Sequence, residues 1–279
     1  MIASPPALSA VTPLLRWAGS KKKILPRLLA GCPSNAARYI EPFAGSGALF
    51  FRLRPRIAIL ADINESLVNM YRQVRSDPEG IFSELSSLPI GSDHYYNLRS
   101  EFSHCTNPKR RAALLLYLNR YCFNGLYRTN HAGQFNVPYG GSRNGKLPNL
   151  SHLRSVSKAL AKTKLIADDF ENVIAGHVKH RDLVYLDPPY AAVKKKRTFR
   201  YYGDKNFSKL DLSRLSGTLS LIDSKGAHFI LSYGYSAEAQ SMFGGWRTSK
   251  VSVLRHIAGF AGARRNSYEL IVTNIEKQR

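Results

Sequence analysis

Residues 38–62 confine the chain to very few folds. Residues 38–41 read as a short strand running into Pro42, and Phe43-Ala44-Gly45-Ser46-Gly47 forms a glycine loop. Residues 48–53 start a helix, and residues 57–61 form a second apolar strand closed by Asp62. Residues 65–74 continue as a helix by their apolar spacing. Strand, glycine loop, helix, strand and acid make the first half of a dinucleotide-type unit. Further strands read at 164–167, 182–186, 227–232 and 269–273, with helices at 210–222 and 236–242 between some of them. This alternation predicts an α/β fold, a Rossmann-like and mostly parallel sheet covered on both faces.

Chemistry concentrates where one of those strands stops. Residues 182–186 run into Asp187-Pro188-Pro189-Tyr190. Neither proline has an N–H to donate, so the ladder ends at Asp187. The stiff loop then offers a carboxylate, free backbone carbonyls and an aromatic ring. That set suits holding a planar aromatic amine by its hydrogens while a ring covers its face; an ordinary Pro-Pro turn reads as well from these four residues alone. In the glycine loop, Gly45 and Gly47 allow tight turns and close approach of a ligand to the backbone, and the next helix start offers free N–H groups. Asp62, 19 positions after Phe43, can accept from both hydroxyls of a ribose. No third glycine follows to support a pyrophosphate; the glycine loop alone reads equally as a structural turn, and the loop together with the spaced acid favours a nucleoside ligand.

Charge points to the partner. Lys plus Arg number 41 against 19 Asp plus Glu, a net charge of +22, which favours a polyanion and most often nucleic acid. The basic residues cluster at 21–23, 109–111, 194–197 and 264–265. Lys194, Lys195, Lys196 and Arg197 directly follow the Asp187 loop and are the first choice for a DNA clamp; a solvated loop is the alternative. Charge alone separates neither DNA from RNA nor either from an anionic membrane. The three cysteines, Cys32, Cys105 and Cys122, show no C-x-x-C pair, as expected in a reducing cytoplasm without disulfides or a zinc site. No apolar run approaches the length of a membrane span.

Between 75 and 162 the strand–helix alternation breaks. Residues 110–121 are helical by spacing, and 122–148 form a long segment rich in Asn, Gly, Arg and Tyr. Its aromatics argue for function rather than disorder. The expected organisation is a loose tail at 1–12, a catalytic domain at 13–74 and 163–279, and a mainly helical recognition insertion at 75–162.

The chain resembles the Dam-type (alpha-group) DNA adenine-N6 methyltransferases from Arg16 to about Thr273. The matching pieces are L-R-W-A-G-S-K at 15–21, E-P-F-A-G-S-G at 41–47, A-D-I-N at 61–64, Y-L-N-R-Y-C-F-N-G-L-Y-R at 117–128, G-Q-F-N-V-P-Y-G at 133–140 and D-P-P-Y at 187–190. They stand in the family's order. The resemblance implies a seven-stranded methyltransferase sheet, S-adenosylmethionine as cofactor, double-stranded DNA as partner and no metal. It implies that Trp17 and Lys21 flank the cofactor's methionine end, that Phe43 borders its adenosine, that Asp62 holds the ribose and that Asp169 and Phe170 lie at the adenine. Asp187, Pro188, Pro189 and Tyr190 would hold the target base, which must leave the duplex to be reached.

By the same resemblance, Arg128 reads a guanine in the major groove, Leu126 and Pro138 touch a thymine methyl, and Phe123 wedges into the stack beside Asn124. Core packing is the competing reading for Phe123 and Leu126. Arg16 faces the other side of the target. The family usually carries Lys where this chain has Arg16 and Tyr where it has Phe123. The family's best-known target, GATC, is the leading expected target, and because these two departures sit at contacts that define it, a shorter, relaxed target is the competitor. An RNA or protein methyltransferase and an inactive DNA-binding module are the remaining alternatives. The protein is expected to act as a cytoplasmic monomer.

Overall fold

Helix starts are written into this chain by short polar side chains. Asn64, Asp77, Asn107, Asn149, Asp169, Ser208 and Ser236 each accept a backbone N–H in the first turn of the helix they precede, satisfying a donor that the helix cannot. Pro78 and Pro108 stand in first turns, where their missing N–H costs nothing. A computed structural model describes residues 11–17, 21, 23–141, 145–190, 207–256 and 264–276.

In chain order the elements are α1 (Leu25–Ala30), β1 (Tyr39–Glu41), α2 (Ala48–Leu53), β2 (Ala58–Asp62), α3 (Glu65–Ser76), α4 (Pro78–Ser86), α5 (Ser92–His104) and α6 (Pro108–Tyr121). A 3-10 turn at Phe123–Gly125 follows, then α7 (Leu150–Leu160), β3 (Thr163–Ala167), α8 (Phe170–His177), β4 (Leu183–Leu186), α9 (Lys209–Ser224), β5 (His228–Gly234), α10 (Ala237–Met242), β6 (Arg247–His256) and β7 (Arg264–Thr273).

The strands form one seven-stranded sheet in the order β3-β2-β1-β4-β5-β7-β6. The first five are parallel, and β7 runs antiparallel between β5 and β6. The sequence predicts this α/β sheet and all its strands except β6. Period-two alternation splits the strands between two layers. Tyr39, Leu60, Leu183, Tyr185 and Ile230 join a core with α1 to α7. Ile40, Ile59, Val184, Leu186 and Leu231 join a second core with α8, α9 and α10. Helix α6 is buried almost all round, from Ala112 to Leu118, and packs against α3, α4 and α5. Among the described residues no helix is long and apolar enough to cross a membrane.

Strand order reverses between β1 and β4, which are neighbours in space but far apart in sequence. A crevice opens at such a switch point, at the C-terminal ends of the strands. The loops after β1 and β4, residues 42–47 and 187–190, meet there. At the opposite end, Arg38 clamps the same strands. It donates to both carboxylate oxygens of the fully buried Asp182, at 2.9 and 2.6 Å, and to the His177 carbonyl at 2.8 Å.

Removing that carboxylate strands a partly buried guanidinium and the Lys179 N–H bonded to it. Asp182→Ala should therefore lower unfolding stability by about 2–4 kcal/mol. Urea titration of parent and variant checks this; a change within about 0.5 kcal/mol would show that the clamp does not hold the sheet.

Candidate active site

The glycine loop is held at both ends of one residue. Gly45 donates its N–H to Asp62 Oδ2 (3.0 Å), and its carbonyl accepts from the Tyr71 hydroxyl (2.9 Å). Asp62 Oδ1 accepts the Asn64 N–H at 3.0 Å. Gly45 and Gly47 take positive φ of 48° and 65°, a conformation open to glycine at little cost. Trp17 packs directly over Gly45, where a side chain would collide with the indole. Burial pushes the Asp62 carboxyl up to about 6, against the opposing pull of the Asn64 and Gly45 N–H groups.

Beside this loop lies a cavity of about 180 Å³. Phe43, Asp62, Asp169, Phe170, Asp187 and Pro189 line it, as do Pro42, Ile63, Phe207, Asp211 and Arg214. Phe43 and Phe170 stack at 5.1 Å, and Phe207 meets Phe43 edge-on at 6.2 Å. Arg214 closes one wall. It bonds Asp169 (2.5 Å), Glu171 (2.8 Å) and Asp211 (2.9 Å), and its guanidinium lies over the Phe170 ring. Asp169 also caps α8 through the Glu171 N–H. The result is an apolar slot with carboxylates at its rim, a form suited to a flat heterocycle attached to a polar ring.

Asp187 stands at the edge of this slot, with 23% of its side chain exposed. Lys21, only 5% exposed, lies 3.0 Å from Asp187 Oδ1. Ser232 donates to the same oxygen at 3.1 Å, and Ser232 pairs with the Tyr185 hydroxyl at 3.0 Å. Lys21 also donates to the Tyr190 hydroxyl at 2.8 Å and lies 3.5 Å from both carboxylate oxygens of buried Glu269. Tyr190 donates to Glu269 at 3.2 Å. Strand β7, being antiparallel, brings Glu269 opposite Gly234 at the end of β5. Two carboxylates thus share one ammonium. Burial by itself would lower the Lys21 pKa, but Asp187, Tyr190 and Glu269 outweigh it and the ammonium is held charged. Burial raises the Asp187 pKa while Lys21 pulls it back down.

Lys21 therefore sits on the Asp187 loop and, like Trp17, Gly45 and Gly47, does not line the cavity. Glu269, Ser232, Tyr185 and Arg214 were not expected from the sequence. A lone acid in the apolar run at 269–273 was the available signal for Glu269. Tyr190 keeps a third of its surface exposed and meets Tyr233 edge-on at 5.2 Å.

The predicted recognition residues gather on a second surface. Bridges Cys122–Tyr139 and Thr129–Phe135 pair two stretches of the 122–139 segment, and the Phe123 N–H bonds the Pro138 carbonyl at 2.9 Å. Phe123, Asn124 and Pro138 are exposed; Leu126 is half-buried against the core. Arg128 donates to the Asn136 side chain (2.7 Å) and carbonyl (3.1 Å). Arg16 is exposed beside them. Lys194, Lys195, Lys196 and Arg197 lie outside the described residues. Among the described residues no group of His, Cys, Asp and Glu could hold a metal ion.

Lys21→Met would leave Asp187 and Glu269 facing each other without a cation. The folded-state pKa of Asp187, already raised by burial, would rise further without Lys21, so stability should drop as pH climbs from the unfolded carboxylate range through the raised value. The expected loss is about 3–5 kcal/mol near pH 8 and clearly less near pH 5. Urea unfolding at the two pH values measures it, and an equal loss at both would refute this charge balance.

Comparison with known proteins shows what the chain is similar to. A family model described as D12 class N6 adenine-specific DNA methyltransferase matches residues 17–257. The chain is 34% identical over 287 residues to the type II methyltransferase M.MjaIII of Methanocaldococcus jannaschii, covering 95% of this chain and 99% of that one. It is 30% identical to the retron Ec67 DNA adenine methylase of Escherichia coli, covering 94% and 90% of the two chains. It is 29% identical to the DNA adenine methylase of Haemophilus influenzae, covering 93% and 92%.

Proposed function

The chain belongs to the D12 class of N6 adenine-specific DNA methyltransferases, and on that premise we propose that it moves the methyl group of S-adenosylmethionine to the N6 amine of an adenine flipped out of double-stranded DNA. The observation that carries this reading is the position of Asp187. It stands at the sheet's switch point, between an aromatic slot with an acid at the end of β2 and the partly exposed Tyr190.

The slot fits the cofactor. Phe43 and Phe170 offer apolar faces to an adenine, and Asp62 offers a carboxylate to ribose hydroxyls. Trp17 stands over the glycine loop, toward the methionine end. S-adenosylmethionine, when bound, supplies a methyl group on a positively charged sulfur.

An exocyclic adenine amine is a poor nucleophile because its lone pair is delocalised into the ring. Lys21 and Ser232 both bond Asp187 Oδ1, so Oδ2 is the acceptor for one N6 hydrogen. The Pro188 carbonyl takes the other. These bonds would draw the nitrogen toward tetrahedral geometry and localise the pair for direct attack on the methyl; the sulfur–methyl bond would break as the N6–methyl bond forms, leaving S-adenosylhomocysteine, and the surplus N6 proton would be lost after transfer. The contribution is positioning and electrostatic stabilisation of the charge growing on N6, with no covalent enzyme intermediate. Tyr190 stacks on the flipped base, worth roughly 1–3 kcal/mol by comparison with other base–aromatic contacts.

Recognition belongs to residues 75–162, the inserted helical region. Arg128, oriented by Asn136, reads guanine; Leu126 and Pro138 meet a thymine methyl. Phe123 fills the gap in the stack, beside Asn124. GATC is the leading target. Arg16 and Phe123, in place of the family's usual Lys and Tyr, favour a shorter, relaxed site as the second reading. Lys194 to Arg197 are proposed to grip the phosphate backbone.

Purified protein should pass tritium from labelled S-adenosylmethionine to duplex DNA and not to RNA or protein. Asp187→Ala should abolish transfer while DNA affinity holds. Turnover within about tenfold of the parent would remove Asp187 from the chemistry. Sequencing of methylated adenines then defines the target.

Asp62 gives a separate handle. Its ionised form is the one that accepts from two hydroxyls. Affinity for S-adenosylhomocysteine should therefore weaken as pH falls through about 6. Asp62→Asn should bind more weakly at all pH and lose that dependence. Calorimetry between about pH 5 and pH 8 tests both, and a pH-independent parent would place the ribose elsewhere.

A further inference from the structure

Asn119 is a polar side chain buried to 1% exposure, directly after the buried apolar run from Ala112 to Leu118 in helix α6. All its side-chain bonds go to backbone outside that helix. Its Oδ1 accepts the Arg16 N–H at 2.8 Å, and its Nδ2 donates to the Arg16 carbonyl at 2.7 Å. The same Nδ2 donates to the Gly125 carbonyl at 3.2 Å. The first pair copies what a neighbouring strand would do for Arg16, fixing both its backbone groups. The third bond ties that residue to the turn at Phe123–Gly125. Gly125 has φ of 64°, and its α-carbon abuts the Arg16 side chain. Further along the two segments, Trp17, next to Arg16, stacks on Tyr127, two residues after Gly125, at 5.5 Å. Arg120 holds the Leu14 carbonyl at 2.8 Å.

We infer that Asn119 is a positioning residue for sequence recognition: it locks Arg16 to the Phe123–Arg128 loop, so that the groups reading either side of the target adenine move as one rigid piece. The inference rests on the recognition reading above. An amide at this position satisfies one N–H and two carbonyls without placing any charge in the core. A carboxylate keeps the bond from the Arg16 N–H but faces the Arg16 and Gly125 carbonyls with an acceptor, so both donated bonds are lost. Arg16 then loses its fixed direction relative to Phe123. A residue that served folding alone would, on weakening, reduce activity on every sequence alike.

The experiment methylates plasmid DNA with the parent, Asn119→Asp, Gly125→Ala, Arg16→Ala and Arg128→Ala, and sequences the methylated adenines. Thermal melting and S-adenosylhomocysteine affinity serve as controls of the fold and the cofactor site. Asn119→Asp should lower discrimination at the base pair that Arg16→Ala also relaxes, by about five- to 150-fold, the range for one good base contact. Adding Arg16→Ala to Asn119→Asp should change discrimination there little further, because the two act through one contact. Cofactor affinity should stay within about twofold of the parent. Gly125→Ala crowds Arg16 at the same point, should relax the same position, and carries the test if Asn119→Asp does not fold. If both variants lower methylation evenly and leave the target unchanged while the arginine variants relax it, the inference is overturned and the recognition reading stands. If neither arginine variant relaxes the target, the recognition reading falls and the inference with it.

Discussion

The active centre depends on one buried ammonium shared between two carboxylates. Lys21 reaches Asp187, Tyr190 and Glu269 from a segment ahead of the first strand. Buried charges are tolerated only when paired and hydrogen-bonded, and here every member of the group bonds at least one other. The pairing has two effects. It pulls the Asp187 pKa back down against the burial that raises it. It also gives Glu269, buried in β7, the same ammonium as a partner.

The sheet explains why these residues meet. Parallel strands β1 and β4 deliver the glycine loop and the Asp187 loop to one edge. The antiparallel β7 delivers Glu269 to the same edge from the opposite chain direction. A parallel strand in that place would put its corresponding residue at the far end of the sheet. The reversed strand, which looks like a topological irregularity, is what supplies the second carboxylate.

Much of this was legible in the residues. Proline pairs, positive-φ glycines and polar caps act locally, so the glycine loop, the Asp187 loop and the α/β alternation could be read without coordinates. Strand β6 escaped because Arg247-Thr248-Ser249-Lys250 opens it with polar side chains, as a sheet edge permits. Helix α8 escaped because it is only eight residues long, although Asp169 was its visible cap. Glu269 and Arg214 were missed for a different reason. An acid in a strand and an arginine on a helix read as solvated charges until the partners 248 and 45 positions away are known. Lys21 was expected beside the cofactor, and its bond to Asp187 is a property of three-dimensional pairing that no motif spells out.

The antiparallel insertion of β7 also sets an order of events. Lys21 and Glu269 close a loop of nearly the whole chain, and closing long loops slows folding. The pairing at the site is complete only when β7 lies between β5 and β6, whereas helix caps such as Asn64 and Asp169 reach no further than three residues along the chain.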